Sequence, residues 1–360
     1  MKQHDTQIPN GNASEKSHRS GWLGKTLQVV VPLVVSVGLC LAMFRDIDFA
    51  EMMQVVRTDC DFRWIGLMLV ISIIPMVLRA LRWGIQLRAL GIKAPTFALV
   101  LSIFGTYAVN IVFPRLGEVW RTGYRAYRQK APFSAVFGSM IGDRFADLLT
   151  VGLLTLLTFV VARGPIVDFV RTYPAAYEAM AAMLLSPWFW CGVALLIGAM
   201  WWLLARSHNA IALKIRKFLL GLWDGFAVLA RMKHKGLWLL LTAGIWGCYF
   251  LQLLIAFRAF SLTAEMLNAN GIVLPLVCFI LTSISMGIPS NGGIGPYQTT
   301  MIFGLSLFAP ATVSHTEFLT IGAAFGNTII ASQTMLLIVL GLFTFGCIAA
   351  EKRRSTRQKA

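Results

Sequence analysis

Long apolar stretches separated by short charged ones dominate this chain. Nine of them stand out: residues 22–44, 64–78, 96–113, 133–162, 186–205, 236–260, 272–289, 296–309 and 318–348. Mostly apolar helices of about 20 residues cross a bilayer. We predict six full spans: 22–44, 64–78, 133–162, 186–205, 236–260 and 318–348. The pattern therefore predicts an all-α, polytopic transmembrane helical bundle.

The basic residues predict how this bundle is oriented. Cytoplasmic loops of membrane proteins carry an excess of Lys and Arg. Five segments hold 25 of the 32 Lys and Arg: residues 1–25, 79–93, 115–130, 206–235 and 352–359. We therefore expect both termini in the cytoplasm and the protein in the cell (inner) membrane. The predicted domains are a disordered N-terminus (1–20), a transmembrane domain (21–350) and a basic tail (351–360).

Two apolar segments fit this topology only as hairpins that enter the membrane and turn back. Residues 96–113 have basic clusters on both flanks, so both flanks favour the cytoplasm. Residues 272–289 and 296–309 are short for spans, and no charge lies between Glu265 and Glu317, which favours a hairpin from the outside. Two spans, a hairpin and a span then occur twice with opposite orientation. Secondary transporters use such inverted repeats to place a site between broken helices.

Composition supports the membrane assignment. The chain is 57% hydrophobic and 13% charged, against about 25% charged residues in soluble domains. Its net charge of +16 is explained by the basic loops, so we predict no nucleic-acid partner. Five of the six cysteines fall inside apolar stretches, and we predict no disulfide framework, no metal site and no cofactor.

A motif with candidate chemistry starts at Asn110, where an apolar run breaks at Pro114 and becomes ionic. Arg115, Glu118 and Arg121 follow it. Broken backbone and charges beside hydrocarbon are typical of transport sites, because intramembrane ions are costly and are kept for function. The alternative is a loop that simply leaves the membrane.

A second ionic motif lies in the apolar stretch 133–162. Asp143 and Asp147 are four residues apart on one helix face, with Arg144 between them. Ions near the bilayer centre should pair or face water, and we predict Arg115, Glu118 and Arg121 as their partners. The alternative is a structural ion cluster that fixes the hairpin to its neighbour.

The second hairpin carries a glycine-rich turn. Its candidate residues are Asn291, Gly292, Gly293, Gly295 and Gln298. Proline is favoured at the first helical position, so we predict that a half-helix begins at Pro296. Its free N-terminal amides would attract an anion such as a lipid phosphate. The alternative is a tight turn.

A basic face follows the second apolar stretch. Arg79, Arg82 and Gln86 share one face of the segment 79–89. This segment either binds anionic headgroups at the cytoplasmic interface or is a helix end with snorkelling side chains.

Together these motifs resemble a known family. Asn110, Pro114-Arg-Leu-Gly-Glu118, Arg121, Asp143-Arg144, Asp147 and Pro289-x-x-Gly-Gly-Ile-Gly295 occur in the order typical of the lysylphosphatidylglycerol synthase transmembrane region, a flippase-like membrane domain. The resemblance covers residues 20–350. It implies movement of a phospholipid between leaflets. The family commonly has Glu at 143, Pro at 291, an acid at 298 and a basic residue near 327, where this chain has Asp143, Asn291, Gln298 and Asn327.

The expected function is binding and translocation of a lipid with a phosphate-bearing headgroup. Arg115, Arg121 and Arg144 would hold the phosphate, while Glu118, Asp143 and Asp147 would position the arginines or accept a cationic headgroup or a proton. We expect membrane lipids as ligands, no catalytic residue, and a partner synthase or a second copy of the chain as possible assemblies. The alternative is an enzyme or accessory subunit of lipid-linked sugar assembly or lipid modification, with Asp46 and Asp48 catalytic.

Overall fold

The computed structural model describes residues 49–113, 115–164, 232–288, 290, 294–310 and 312–357, and isolated residues between 165 and 231. The predicted spans at 22–44 and 186–205 lie wholly or largely outside these residues. Throughout the described segments the regular structure is helical. The helices are α1 (Phe49–Asp59), α2 (Phe62–Ala89), α3 (Thr96–Val112), α4 (Leu116–Arg128), α5 (Phe133–Val161), α6 (Lys235–Ala256, extended by a 3-10 turn at Phe257–Ala259), α7 (Ser261–Asn270), α8 (Val273–Ser285), α9 (Pro296–Ser306) and α10 (His315–Arg357).

Four of the described helices are long and apolar enough to cross a membrane: α2, α5, α6 with its 3-10 turn, and α10 up to Glu351. The prediction of an all-helical, multi-pass membrane protein is confirmed. The count of six spans and the inverted repeat stay predictions. The last helix continues to Arg357, past the start of the tail predicted at residue 351.

The predicted span at residues 64–78 is part of a longer helix, α2. It is 28 residues long, or about 42 Å at 1.5 Å per residue, and it continues through the segment that we assigned to the interface. Arg79 is 4% exposed, and Arg82 and Gln86 are 0% exposed. Both interpretations of the segment 79–89, headgroup binding at the interface and a snorkelling helix end, are therefore wrong for these three residues.

Three of the described helices, α1, α4 and α7, were not predicted, and acidic residues at the junction of α1 and α2 cap helix starts. The carboxylate of Asp61 accepts from the backbone N–H of Arg63 at 3.0 Å and caps α2. The carboxylate of Asp59 accepts from the backbone N–H of Ser261, the first residue of α7, at 3.2 Å. Asp59 and Asp61 thus satisfy backbone donors at helix starts.

Helices α3 and α4 form the first hairpin. They are antiparallel: the backbone N–H of Gly117 donates to Asn110 Oδ1 at 2.8 Å, and the Trp120 ring packs over Gly105. The residues that flank this hairpin, Ile92 and Ala131, pack against one buried cluster. Both ends of the hairpin, at Ile92 and Ala131, therefore lie at the same end of the molecule. The predicted re-entrant segment 96–113 is corrected: residues 96–112 form one helix, and the basic residues that follow it form the returning helix α4.

Helices α8 and α9 form the second hairpin, which approaches from the other end. The half-helix begins at Pro296, as predicted. Leu274 and Leu305, far from the hairpin tip, share a buried cluster with Ile65 of α2, whereas the first hairpin packs near Leu87. Ile65 and Leu87 are 22 residues apart, about 33 Å along the helix, close to the roughly 30 Å of a hydrocarbon core.

Helix α10 packs along both hairpins. Gly322 and Gly326, four residues apart, face Ile302 and Gln298 of α9, so these small residues pack the two helices together. Further along, Gly341 lies against Ala108 of α3. One helix therefore holds the two hairpins in register.

Candidate functional site

The tips of the two hairpins touch. Arg115 lies between α3 and α4, and its Nη2 donates to the carbonyl oxygens of Met286 at 3.0 Å and Gly287 at 2.8 Å, at the end of α8. The last carbonyls of a helix lack partners within the helix and carry partial negative charge. A guanidinium is therefore a suitable cap, and it joins the two hairpins.

Arg115 holds this position at a conformational cost, because its φ of 65° places it in the left-handed region. That region costs a non-glycine residue about 1 kcal/mol. We expect Arg115→Gly and Arg115→Ala both to lose the two hydrogen bonds, but the glycine variant to be more stable by about 1 kcal/mol because only it relieves the backbone. Thermal unfolding of the two purified variants measures the difference. Equal stabilities would contradict the left-handed conformation.

Behind the tips, a network of buried ions joins α2 to α5. Arg79 Nη1 lies 2.6 Å from Asp147 Oδ2, and Arg82 Nη2 lies 2.8 Å from Asp147 Oδ1. Arg82 Nη2 also lies 2.7 Å from Asp143 Oδ1, but without the alignment of a hydrogen bond. The acids of α5 were predicted to pair with Arg115, Glu118 and Arg121. That prediction is wrong: within the described structure their closest ionic partners come from α2.

Arg144 carries the network to the first hairpin. Its Nη2 lies 2.6 Å from Glu118 Oε1, and its Nη1 lies 3.7 Å from Asp147 Oδ2. The other oxygen of Glu118 accepts from the Asn110 amide at 3.2 Å. Glu118 is thus held by two partners, which fixes its orientation at the hairpin tip.

A cavity of about 360 Å³ lies beside this network, between the hairpins and helices α2, α6 and α10. Such a volume is typical of ligand sites. Among the described residues, four charged side chains line it: Arg79, Arg115, Glu118 and Arg144. Its other walls are apolar or uncharged: Ser72, Met76, Tyr107, Asn110, Ile111, Trp246, Tyr249, Gln252, Leu253, Phe279, Thr282, Ser283, Met286, Ile288, Ser290, Tyr297, Ile329, Ile330, Gln333, Thr334 and Leu337.

The predicted site residues of the first half separate into two groups. Asn110, Arg115, Glu118 and Arg144 line the cavity. Asp143, Asp147 and Arg121 are buried behind it. The two acids are ion-paired to Arg79, Arg82 and Arg144, whereas the sequence predicted that they would position Arg115, Arg121 and Arg144; Arg144 is common to both sets.

Arg121 has an unusual environment. It is 0% exposed, its guanidinium stacks 4.3 Å from the centre of the Trp83 ring, and its three nitrogens have no hydrogen-bond partner among the described residues. The position of Arg121 supports a packing and electrostatic role within the network, because its side chain is not part of the cavity wall.

The predicted residues of the second half are partly described. Asn291, Gly292 and Gly293 lie outside the described residues. The backbone N–H of Gly295 donates to Gln298 Oε1 at 2.7 Å, so one free amide at the start of α9 is already satisfied. The Gln298 amide also donates to Asn327 Oδ1 at 3.1 Å. Two amides therefore pair where the family resemblance led us to expect an acid and a base.

Arg79 and Arg82 are the site residues that the sequence analysis missed. Two signals point to them. They lie on the same helix face as Ser72, in a continuous helical pattern, and the acids at 143 and 147 need two buried cations. Pairing of the two arginines with the two carboxylates offsets part of the cost of placing ions in hydrocarbon.

Comparison with known protein families places this site in a known context. Residues 29–324 match the family described as the lysylphosphatidylglycerol synthase TM region. Among curated proteins, the chain is similar to "Glycosyltransferase AglD" of Haloferax volcanii, with 30% identity over 128 residues, or 35% of this chain. The chain spans about a fifth of that relative's length. No solved structure matches. Because the family match covers most of its length, this chain belongs to the lysylphosphatidylglycerol synthase transmembrane-region family.

Proposed function

We propose that the protein binds a lipid through its phosphate-bearing headgroup in the cavity between the hairpins and moves it between the leaflets. The observation that carries the proposal is the charge of the network. Four guanidiniums (Arg79, Arg82, Arg121 and Arg144) face three carboxylates (Glu118, Asp143 and Asp147) in and behind the cavity wall. Arg115 adds a further positive charge at the hairpin tips. A phosphodiester, with one negative charge, complements this excess.

The arrangement of the wall supports a particular binding mode. Arg144 and Arg115 are the more accessible arginines of the cavity, and guanidiniums bind phosphate oxygens through pairs of N–H groups. The apolar wall formed by Phe279, Ile329 and Leu337 suits the start of the acyl chains. In this proposal Arg121 contributes positive potential from behind the wall instead of contacting the phosphate.

We further propose that the hairpins act as two gates. The contact of Arg115 with the end of α8 closes the space between the tips. A phosphate that binds the same guanidinium competes with those carbonyls, and so weakens the contact that joins the hairpins. An inverted repeat would supply equivalent openings toward each leaflet.

A scrambling assay tests this function. Purified protein is reconstituted into liposomes with fluorescent phosphatidylglycerol, and the transfer rate is measured as the loss of fluorescence that an impermeant quencher causes over time. We expect Glu118→Ala and Arg144→Ala to lower the rate about tenfold, the effect of losing one charge-assisted contact. Glu265→Gln, an exposed substitution on α7, serves as the control and should keep the wild-type rate. Folded variants of Glu118 and Arg144 with the wild-type rate would overturn the site.

A second candidate function is a role in lipid-linked sugar assembly, as an enzyme or as a subunit that serves one. The specific observation is the similarity to a glycosyltransferase-named relative over 128 residues. Asp46 and Asp48, the proposed catalytic pair, lie outside the described residues. Incubation of the purified protein with a polyprenyl-phosphate sugar separates the candidates, because a transporter leaves this donor intact and a transferase consumes it.

A further inference from the structure

The cavity has a second polar region that contains no charge. Ser72 Oγ lies 2.7 Å from Gln252 Oε1, and Gln333 Nε2 donates to Ser72 Oγ at 3.3 Å. The three side chains come from α2, α6 and α10, and all three line the cavity. This uncharged cluster joins three helices of the bundle.

The uncharged cluster is displaced from the ionic end of the cavity. Ser72 and Arg79 are seven residues apart on α2, which is about 10 Å along the helix axis. The two tyrosine hydroxyls of Tyr107 and Tyr249, 3.3 Å apart, also line the cavity. A ligand whose phosphate contacts Arg144 can therefore extend a polar substituent toward Gln252 and Gln333.

The groups of this cluster that are still free to form hydrogen bonds include both donors and acceptors. Gln252 uses its amide oxygen and Gln333 its amide NH2 group in the cluster, so the NH2 group of Gln252 and the amide oxygen of Gln333 have no hydrogen-bond partner among the described residues. The indole N–H of Trp246, also in the cavity wall, lacks a hydrogen-bond partner in the same part of the chain. Hydroxyl groups, which donate and accept at once, match such a surface.

A cationic headgroup does not match it. Among the described lining residues Glu118 is the carboxylate, and it is already engaged by Arg144 at 2.6 Å and Asn110 at 3.2 Å. An ammonium group would meet arginines at one end and uncharged amide groups, one of them a donor, at the other. It would find no free negative charge in either place.

We infer that the headgroup beyond the phosphate is uncharged and rich in hydroxyls, as in a glycerol or sugar phosphodiester, and that Gln252 and Gln333 select it. This inference rests on the proposed lipid-binding function and narrows its substrate class. Phosphatidylglycerol and polyprenyl-phosphate sugars share this chemistry.

Titrations of the full-length protein in detergent with two matched lipids, followed by native mass spectrometry, test the selection. Phosphatidylglycerol and phosphatidylpropanol have the same charge and the same three-carbon headgroup, but the second lacks both hydroxyls. We expect phosphatidylglycerol to bind at least tenfold more tightly, because two extra hydrogen bonds give a factor of about ten or more. In Gln252→Leu/Gln333→Leu the ratio of the two affinities should fall toward one. Gln54→Leu, an exposed substitution on α1, is the control.

Two further comparisons complete the experiment. Polyprenyl-phosphate hexose against polyprenyl methyl phosphate is the second matched pair and shows whether sugars are the source of the hydroxyls. Phosphatidylethanolamine against phosphatidylglycerol tests a cationic headgroup. Preference for the hydroxylated member of either pair, lost in the double variant, supports the inference and identifies the source. Equal affinity within both pairs, or tighter binding of phosphatidylethanolamine than of phosphatidylglycerol, overturns the inference but leaves lipid binding intact. Failure of the wild-type protein to bind any of these lipids overturns both.

Discussion

Replacement of Asp147 by asparagine is expected to lower the free energy of unfolding by about 3–5 kcal/mol, the cost of removing one partner from a buried ion pair. Asp147 contacts Arg79 at 2.6 Å, Arg82 at 2.8 Å and Arg144 at 3.7 Å. Without it, Arg79 keeps only the longer 3.6 Å contact with Asp143. Reversible unfolding of the purified variant in mixed micelles gives the difference.

A double variant distinguishes two causes of the destabilisation: the loss of the attraction between the two ions, and the cost of leaving one buried ion without a partner. Arg79→Leu/Asp147→Leu removes one buried ion from each side and leaves the Arg82–Asp143 pair at 2.7 Å. We expect it to cost less than the sum of the two single leucine substitutions, because neither charge is left without its partner. Additive costs would show that the two residues act independently.

Substitution of Gly117 by alanine is the second large expected effect, a loss of about 1–3 kcal/mol through overpacking. A Cβ at this position would collide with the Thr106 carbonyl oxygen and would lie 2.7 Å from Asn110 Oδ1. Both atoms belong to α3, so α4 would have to move away from its partner in the first hairpin. The same movement would break the Gly117 to Asn110 hydrogen bond of 2.8 Å.

Gly123→Ala is the matched control in the same helix. The nearest atom to a Cβ there is a ring carbon of Phe133 at 3.9 Å, an ordinary contact. Alanine favours a helix interior over glycine by about 1 kcal/mol, so this variant should be as stable as wild type or more stable. Thermal unfolding of the pair reports the contrast, and similar losses at both positions would refute close packing of α3 on α4.

Much of the architecture follows from the hydrophobic pattern and the charge asymmetry. The basic clusters around 96–113 predicted that the chain enters and leaves on one side, and α4 does return along α3, although residues 96–113 alone do not form the hairpin. Pro296 and the uncharged stretch around it predicted the second hairpin and the start of α9. Patterns of this kind are local, and each needs only the neighbouring sequence.

The pairing of the ions could not be predicted in the same way. Arg79 and Arg82 follow an apolar run and precede Arg88 and Lys93, as residues at a cytoplasmic helix end do. Their burial depends on Asp143 and Asp147, more than 60 residues later, and on Thr242, whose hydroxyl accepts from Arg82 at 3.2 Å. Contacts between distant segments carry no local signal, so positive charge alone suggested an interface.

The contact between the hairpin tips was unpredictable for a similar reason. Arg115 was selected because a charge beside Pro114 is rare in an apolar run, and it was assigned to a phosphate. Its hydrogen bonds go instead to two carbonyls 171 and 172 residues away. Every residue supplies the same backbone carbonyl, so the sequence does not indicate which carbonyls at a helix end accept a hydrogen bond from a distant side chain.

The most direct test of this account is the side of the membrane from which each hairpin enters. Single cysteines at Lys93, Lys130, Glu265 and Glu317, all exposed positions, are introduced into a chain whose six native cysteines have been replaced. An impermeant maleimide is then applied to vesicles of uniform orientation. The account predicts that positions 93 and 130 react from one face and positions 265 and 317 from the opposite face. Reaction of positions 93 and 130 from opposite faces would contradict it.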